Sequence, residues 1–173
     1  MGLGRRCIVS LLVAAACAST EPPPVADAPR SLSPTDLKVT LERTTCFGSC
    51  PAYFVSVDAR GDVEWEGRAF VEQLGRAHAR LESLDGLAAL FGRLDAVDYD
   101  ALPSLERSGS LAMCPSHATD HPTVIVTVVA NGTKRSVDHD LGCRGYPPLE
   151  AFEALEREID AVARTEAWIG RER

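Results

Sequence analysis

Apolar and charged residues alternate along Leu37-Lys38-Val39-Thr40-Leu41-Glu42-Arg43, the period of two that puts every second side chain of a strand on one buried face. Ala52–Asp58 repeats the alternation, with Tyr53, Val55 and Val57 on one side. Arg60-Gly61-Asp62 reads as a turn, and Val63–Gly67 as the strand that returns from it. A weaker fourth strand is predicted over Gly75–Leu81, with Gly67–Leu74 ambiguous between strand and loop. The period then lengthens. Behind Ser83, a good N-cap, Leu84, Leu87, Leu90, Leu94 and Val97 recur at spacings of three and four and predict a helix. Asp98–His121 keeps no period, contains Pro103, Gly109 and Pro115, and reads as a long loop. Thr123–Val129 is a β-branched run suited to a central strand. Asn131-Gly132 turns it back into Thr133–His139. After the turn Gly142–Pro148, the positions Leu149, Phe152, Leu155, Ile159 and Val162 predict a second helix with Pro148 in its first turn, and Trp168 and Ile169 are expected to cover the core edge. The order β-β-β-(β)-α-β-β-α predicts an α+β fold: a single antiparallel sheet of about five or six strands with two helices packed on one face.

The start of the chain has a different pattern. Met1–Arg6 is short and basic, and Cys7–Ala16 is apolar and ends in small residues, the two parts of an export signal too short to stay in a bilayer as a span. Leu12-Val13-Ala14-Ala15-Ala16-Cys17 resembles a bacterial lipobox, with Ala14 where leucine is usual, which makes Cys17 the expected lipid acceptor. Cleavage after Ala16-Cys17-Ala18 is the alternative, giving a plainly secreted chain. Residues 18–36, with Pro22-Pro23-Pro24, Pro29 and Pro34, have no apolar period and read as an extended tether. The expected division is therefore a signal over 1–17, a tether over 18–36 and one domain over 37–169. Ala18 after the acceptor cysteine resembles the signal that sends lipoproteins to the outer membrane.

The formal net charge is −7, and it becomes more acidic when Arg5 and Arg6 leave with the signal. Such a chain is repelled by nucleic acid and by anionic lipid, so membrane contact is expected only through the N-terminal lipid. The expected partner is a protein or the cell wall.

Of the six cysteines, Cys7 departs with the signal and Cys17 is lipidated or removed. Cys46, Cys50, Cys114 and Cys143 remain, and an even number in an oxidising compartment predicts two disulfides, with three pairings open. Three sharper chemistries compete with this. The string Cys46-x-x-x-Cys50-Pro51 is similar to that of copper-delivery proteins of the Sco family, with His139 as the later histidine, and soft thiolates do select copper(I). Those proteins open a helix at the second cysteine, whereas Tyr53–Asp58 is patterned as a strand, so the helix terminus that lowers a thiol pKa is missing. A thiol-redox or copper(I) protein using Cys46 and Cys50 is the alternative reading. His117, Asp120 and His121 have ligand-like spacing for zinc but lie in a polar loop. Ser104, Ser108, Ser110 and Ser116 sit in no nucleophile frame, and Glu64 and Glu66 alternate on a solvated strand face. No catalytic constellation and no cofactor are expected.

The segment Arg43-Thr44-Thr45-Cys46-Phe47-Gly48-Ser49-Cys50-Pro51-Ala52-Tyr53 resembles a bacterial exported or lipoprotein family, a domain of unknown function, whose members open with R-T-x-C-F-G-x-C-P-x-Y between two strands. Asp120-His121-Pro122-Thr123, the Asn131-Gly132 hairpin and the closing Trp168-Ile169 are also similar. The resemblance implies an exported, often lipid-anchored α+β domain and carries over no activity. The family's joint use of the first two cysteines favours Cys46–Cys50 with Cys114–Cys143 over the crossed pairings. On chain entropy the short loop is worth about 2 kcal/mol and the long one roughly 3.5 kcal/mol.

Overall fold

The computed structural model of the chain describes residues 36–102 and 114–170, apart from the side chains of Asp100, Leu149, Glu150 and Ala151. The expected signal, Cys17 and nearly all of the tether lie outside these residues. Four strands come first: β1 (Lys38–Arg43), β2 (Ala52–Asp58), β3 (Asp62–Ala69) and β4 (Gly75–Arg80). Helix α1 (Asp85–Ala96) and a 3-10 turn (Tyr99–Ala101) follow. Then come β5 (Ser116–His117), β6 (Thr123–Ala130), β7 (Thr133–Asp140), β8 (Cys143–Arg144), α2 (Pro147–Ala163) and the one-turn α3 (Glu166–Ile169).

Six strands form one antiparallel sheet in the order β4-β3-β2-β1-β6-β7, and β5 pairs with β8 in a separate two-stranded ribbon. The fold is α+β, as the hydrophobic pattern predicts. Register keeps each apolar set on one side: Val39 faces Val57 and Val128, Leu41 faces Val55 and Val126, and Val55 faces Trp65. These side chains join Leu87, Leu90 and Leu94 of α1 and Phe152, Leu155 and Ile159 of α2 in one buried cluster. Covering one face of a sheet in this way removes its apolar stripe from water at about 25 cal/mol per Å². The other face carries ion pairs in solvent, such as Lys38 with Glu64 and Arg68 with Glu42.

The structure corrects some of these expectations and resolves one left open. Leu84 does not join the helix stripe; it stands before the first turn of α1 and is half exposed, because the helix starts one residue later. Ser83 is not the N-cap either, since Leu84 holds that position; the Ser83 hydroxyl accepts from the Asp85 amide at 3.1 Å from one residue further back. The stretch 98–121 is not irregular throughout: it contains the 3-10 turn and β5, while 103–113 lies outside the described residues. The ambiguous 67–74 stretch divides between the end of β3, which reaches Ala69, and the loop to β4. Finally, α3 is a third helix. The chain leaves α2 through Arg164 in the left-handed region (φ 54°), which folds α3 back so that Trp168 reaches Trp65.

Candidate functional site

The strand order brings the loops after β1, β3 and β7, and the approach to β6, to one end of the sheet. The cysteine segment lies there, between β1 and β2. Cys46 and Cys50 are bridged with Cα atoms 5.8 Å apart, within the span a disulfide needs. Gly48 makes the bend at φ 150°, outside the range favoured by side-chain-bearing residues. Two backbone bonds fasten this loop to the approach to β6: the Phe47 amide donates to the Asp120 carbonyl (3.1 Å) and the Thr44 amide to the Thr123 carbonyl (3.0 Å). The Thr44 hydroxyl in turn accepts from the Thr123 amide at 2.8 Å. The backbone is therefore fixed by covalent and hydrogen-bonded closure, yet Phe47 is 91% exposed.

Cys114 and Cys143 are bridged beside it, with Cα atoms 5.6 Å apart, across the β5–β8 ribbon. His117 and Asp140 meet there at 3.1 Å, and the other Asp140 oxygen accepts from the Gly142 amide at 2.8 Å. Gly142 has no room for a side chain, since a Cβ would lie 2.0 Å from the Ala118 carbonyl oxygen. His117 is thus engaged by Asp140 rather than by Asp120 or His121. Among the described residues no group of three or more His, Cys, Asp or Glu side chains is placed to hold a metal ion. The residues after Cys50 form strand β2, not a helix.

Beneath the loop, helix α2 crosses the end of the sheet over a row of polar side chains. The first pair is His139 on β7, whose Nδ1 lies 2.6 Å from Glu156 Oε1. Next, Arg43 at the end of β1 reaches Glu156 at 3.7 Å and donates to Asp160 from Nη2 at 2.7 Å. The Tyr53 hydroxyl accepts from Arg43 Nε (2.9 Å) and donates to Asp160 Oδ1 (2.6 Å), to which the Thr165 hydroxyl also donates (2.9 Å). Among the described residues His139 Nε2 is buried with no hydrogen-bond partner. A guanidinium and two hydroxyls here satisfy one carboxylate, which is how ionised groups are kept out of water at tolerable cost.

Residues 37–163 match the model of the domain of unknown function DUF6438. The chain belongs to this family. No curated protein matches the sequence.

Within this DUF6438 domain the network sets its own pH behaviour. Burial raises the Tyr53 hydroxyl well above the ordinary tyrosine range, Asp160 raises it further, and Arg43 opposes both. Burial works to lower Arg43, but Asp160, Tyr53 and Glu156 outweigh it and hold the guanidinium above its usual range. An acid whose folded pKa is raised contributes stability that is complete below its unfolded value, about 10 for tyrosine, and is lost as pH rises through the folded one. Thermal unfolding is therefore expected to fall at lower temperature above about pH 10. The phenolate absorbance of Tyr53, taken as wild type minus Tyr53→Phe, should appear only together with unfolding. A Tyr53 that ionises in the folded domain near the ordinary value would overturn this.

Of the network residues Arg43, Tyr53, His139, Glu156 and Asp160, only His139 stands out in the sequence as chemistry, although a signal for the network is present there. Arg43 continues the inward series Val39, Leu41, and Tyr53 begins the series Val55, Val57. On α2, Glu156 and Asp160 follow Phe152 and Glu156 by one helical repeat of four and so share the buried stripe. Polar residues at core positions must find buried partners, so their places in the pattern are enough to mark a network.

Proposed function

We propose that this DUF6438 chain is a non-enzymatic cell-envelope lipoprotein that presents a disulfide-closed loop to a protein or cell-wall partner. The observation that carries the reading is the exposed Phe47 ring on a backbone already closed by Cys46–Cys50. An aromatic anchor on a pre-ordered loop loses little conformational freedom on binding, and such anchors dominate interface energetics. The network of Arg43, Tyr53, Asp160, Glu156 and His139 turns inward between helix and sheet, which supports a structural use of these groups. In this reading Cys17 carries the lipid, the 18–36 tether lifts the domain from an outer membrane, and the loop faces the periplasm.

The test places a photo-crosslinking residue at position 47 in cells, and a second one at Asn131, in the β6–β7 turn at the opposite end of the sheet. A discrete adduct from position 47 and none from 131 is expected. Phe47→Ala should leave unfolding within about 0.5 kcal/mol of wild type while abolishing the adduct formed from a crosslinker at Ser49. Equal adducts from both ends, or none from 47, would remove the reading. Lipid anchoring is tested separately by mass spectrometry of the mature N-terminus: an unmodified chain cleaved after Ala18 refutes it.

A further inference from the structure

Strand β4 ends the sheet, and among the described residues no strand pairs with its outer side. β4 is also the least covered strand, exposed at five of its six positions. Its composition is simple. On the open face it carries Arg76, His78 and Arg80; on the helix-side face it has only Gly75, Ala77 and Ala79.

The one strand that pairs with β4 shows what such an edge selects. Asp62, Glu64 and Glu66 of β3 stand opposite Arg80, His78 and Arg76, while Val63 and Trp65 stand opposite Ala79 and Ala77. Glu66 and Asp62 pair with Arg76 and Arg80 on one face, and large apolar residues stand opposite small ones on the other, the cross-strand pairings that stabilise a sheet. Both arginines remain open to solvent on their far sides, with Arg76 82% and Arg80 68% exposed. Exposed leucines stand just beyond each end of the strand, Leu74 before it and Leu84 after it.

We propose that the free edge of β4 is a docking site for an extended segment of a partner protein in which carboxylates alternate with bulky apolar residues. The segment adds as a seventh, antiparallel strand, and its main chain bonds to the open edge. Its carboxylates lie over Arg76, His78 and Arg80, and its apolar side chains fill the trough floored by Gly75, Ala77 and Ala79. A second copy of this chain does not fit. Antiparallel pairing of two β4 strands about His78 sets Arg76 against Arg80, like charge on like charge, and small residue on small residue. The site is separate from the Phe47 loop, so the two proposals fail independently.

The probe is a capped peptide copying β3, Asp-Val-Glu-Trp-Glu-Gly, titrated into the isotope-labelled mature chain. Amide shifts and hydrogen-exchange protection confined to 75–80 are expected. The double variant Arg76→Glu, Arg80→Glu should bind at least about tenfold more weakly, the effect of exchanging two cross-strand attractions for two repulsions. A peptide with the same side chains but alternate backbone N-methyl groups should lose the protection altogether. Equal binding of the N-methylated peptide would reduce the effect to surface charge and overturn the proposal. So would shifts outside β4, no shifts at millimolar peptide, or a dimer of the free chain whose interface is β4.

Discussion

Arg43→Met is expected to destabilise the domain by about 3–5 kcal/mol, the range found when one partner of a buried ion pair is removed. Arg43 donates to Asp160 from two nitrogens and to Tyr53, and it stands 3.7 Å from Glu156. Methionine keeps the length of the stem and removes every donor. Asp160 would retain only the hydroxyls of Tyr53 and Thr165, and Glu156 only His139. Both hydrogen bonds from Arg43 to a carboxylate go to Asp160, whereas Glu156 stands 3.7 Å away and keeps His139, so the larger share of the loss should come from Asp160. Adding Asp160→Asn should recover part of it, since a neutral amide needs no counter-charge. Denaturant unfolding of the two single variants and the double variant measures both effects. A cost below about 1 kcal/mol, the value of a solvated surface pair, would mean that the network is not shielded as described.

Trp65→Ala should cost a comparable amount, about 3–5 kcal/mol, by a different route. The ring is 2% exposed, stacks on Tyr53 with centroids 4.7 Å apart and meets Trp168 at 5.1 Å. Alanine would leave a cavity where β2, β3 and α3 meet. It would also remove the indole N–H that donates to the Gln73 carbonyl at 2.9 Å. That bond has a covalent prerequisite: the 70–74 loop folds so closely onto β3 that a Cβ on Gly67 would sit 1.9 Å from the same carbonyl oxygen. Trp65→Phe keeps an aromatic ring but loses the bond, so an intermediate loss is expected, with the Gln73 amide exchanging faster. Equal losses for alanine and phenylalanine would assign the whole effect to the hydrogen bond rather than to packing.

The same residues show which parts of the fold are legible from local pattern. The alternation of Val39 with Leu41, of Val55 with Val57 and of Val124 with Val126 places each strand and its buried face, because the pleat repeats every two residues whatever the neighbours are. The Asn131-Gly132 turn fixes the β6–β7 hairpin for a similarly local reason. The exposure of Phe47 and the partners of Arg43 are not of this kind. Position 47 lies between two cysteines in any reading, but its ring points to water only because the loop is fastened to Asp120 and Thr123, far along the chain.

Local chemistry therefore determined most of the elements and their buried faces. Periodicity and turn preference act over a few residues, which made the long strands and the two longer helices legible but not β5, β8 or α3. Only the tertiary structure decided which residues meet across long separations. It set α2 across the sheet end so that Glu156 and Asp160 fall on His139, Arg43 and Tyr53, placed Trp168 on Trp65, and left β4, among the described residues, as an edge with no strand on its outer side. Those outcomes depend on the order in which strands pair and on where a helix crosses them, and both are fixed by packing of the whole core at once.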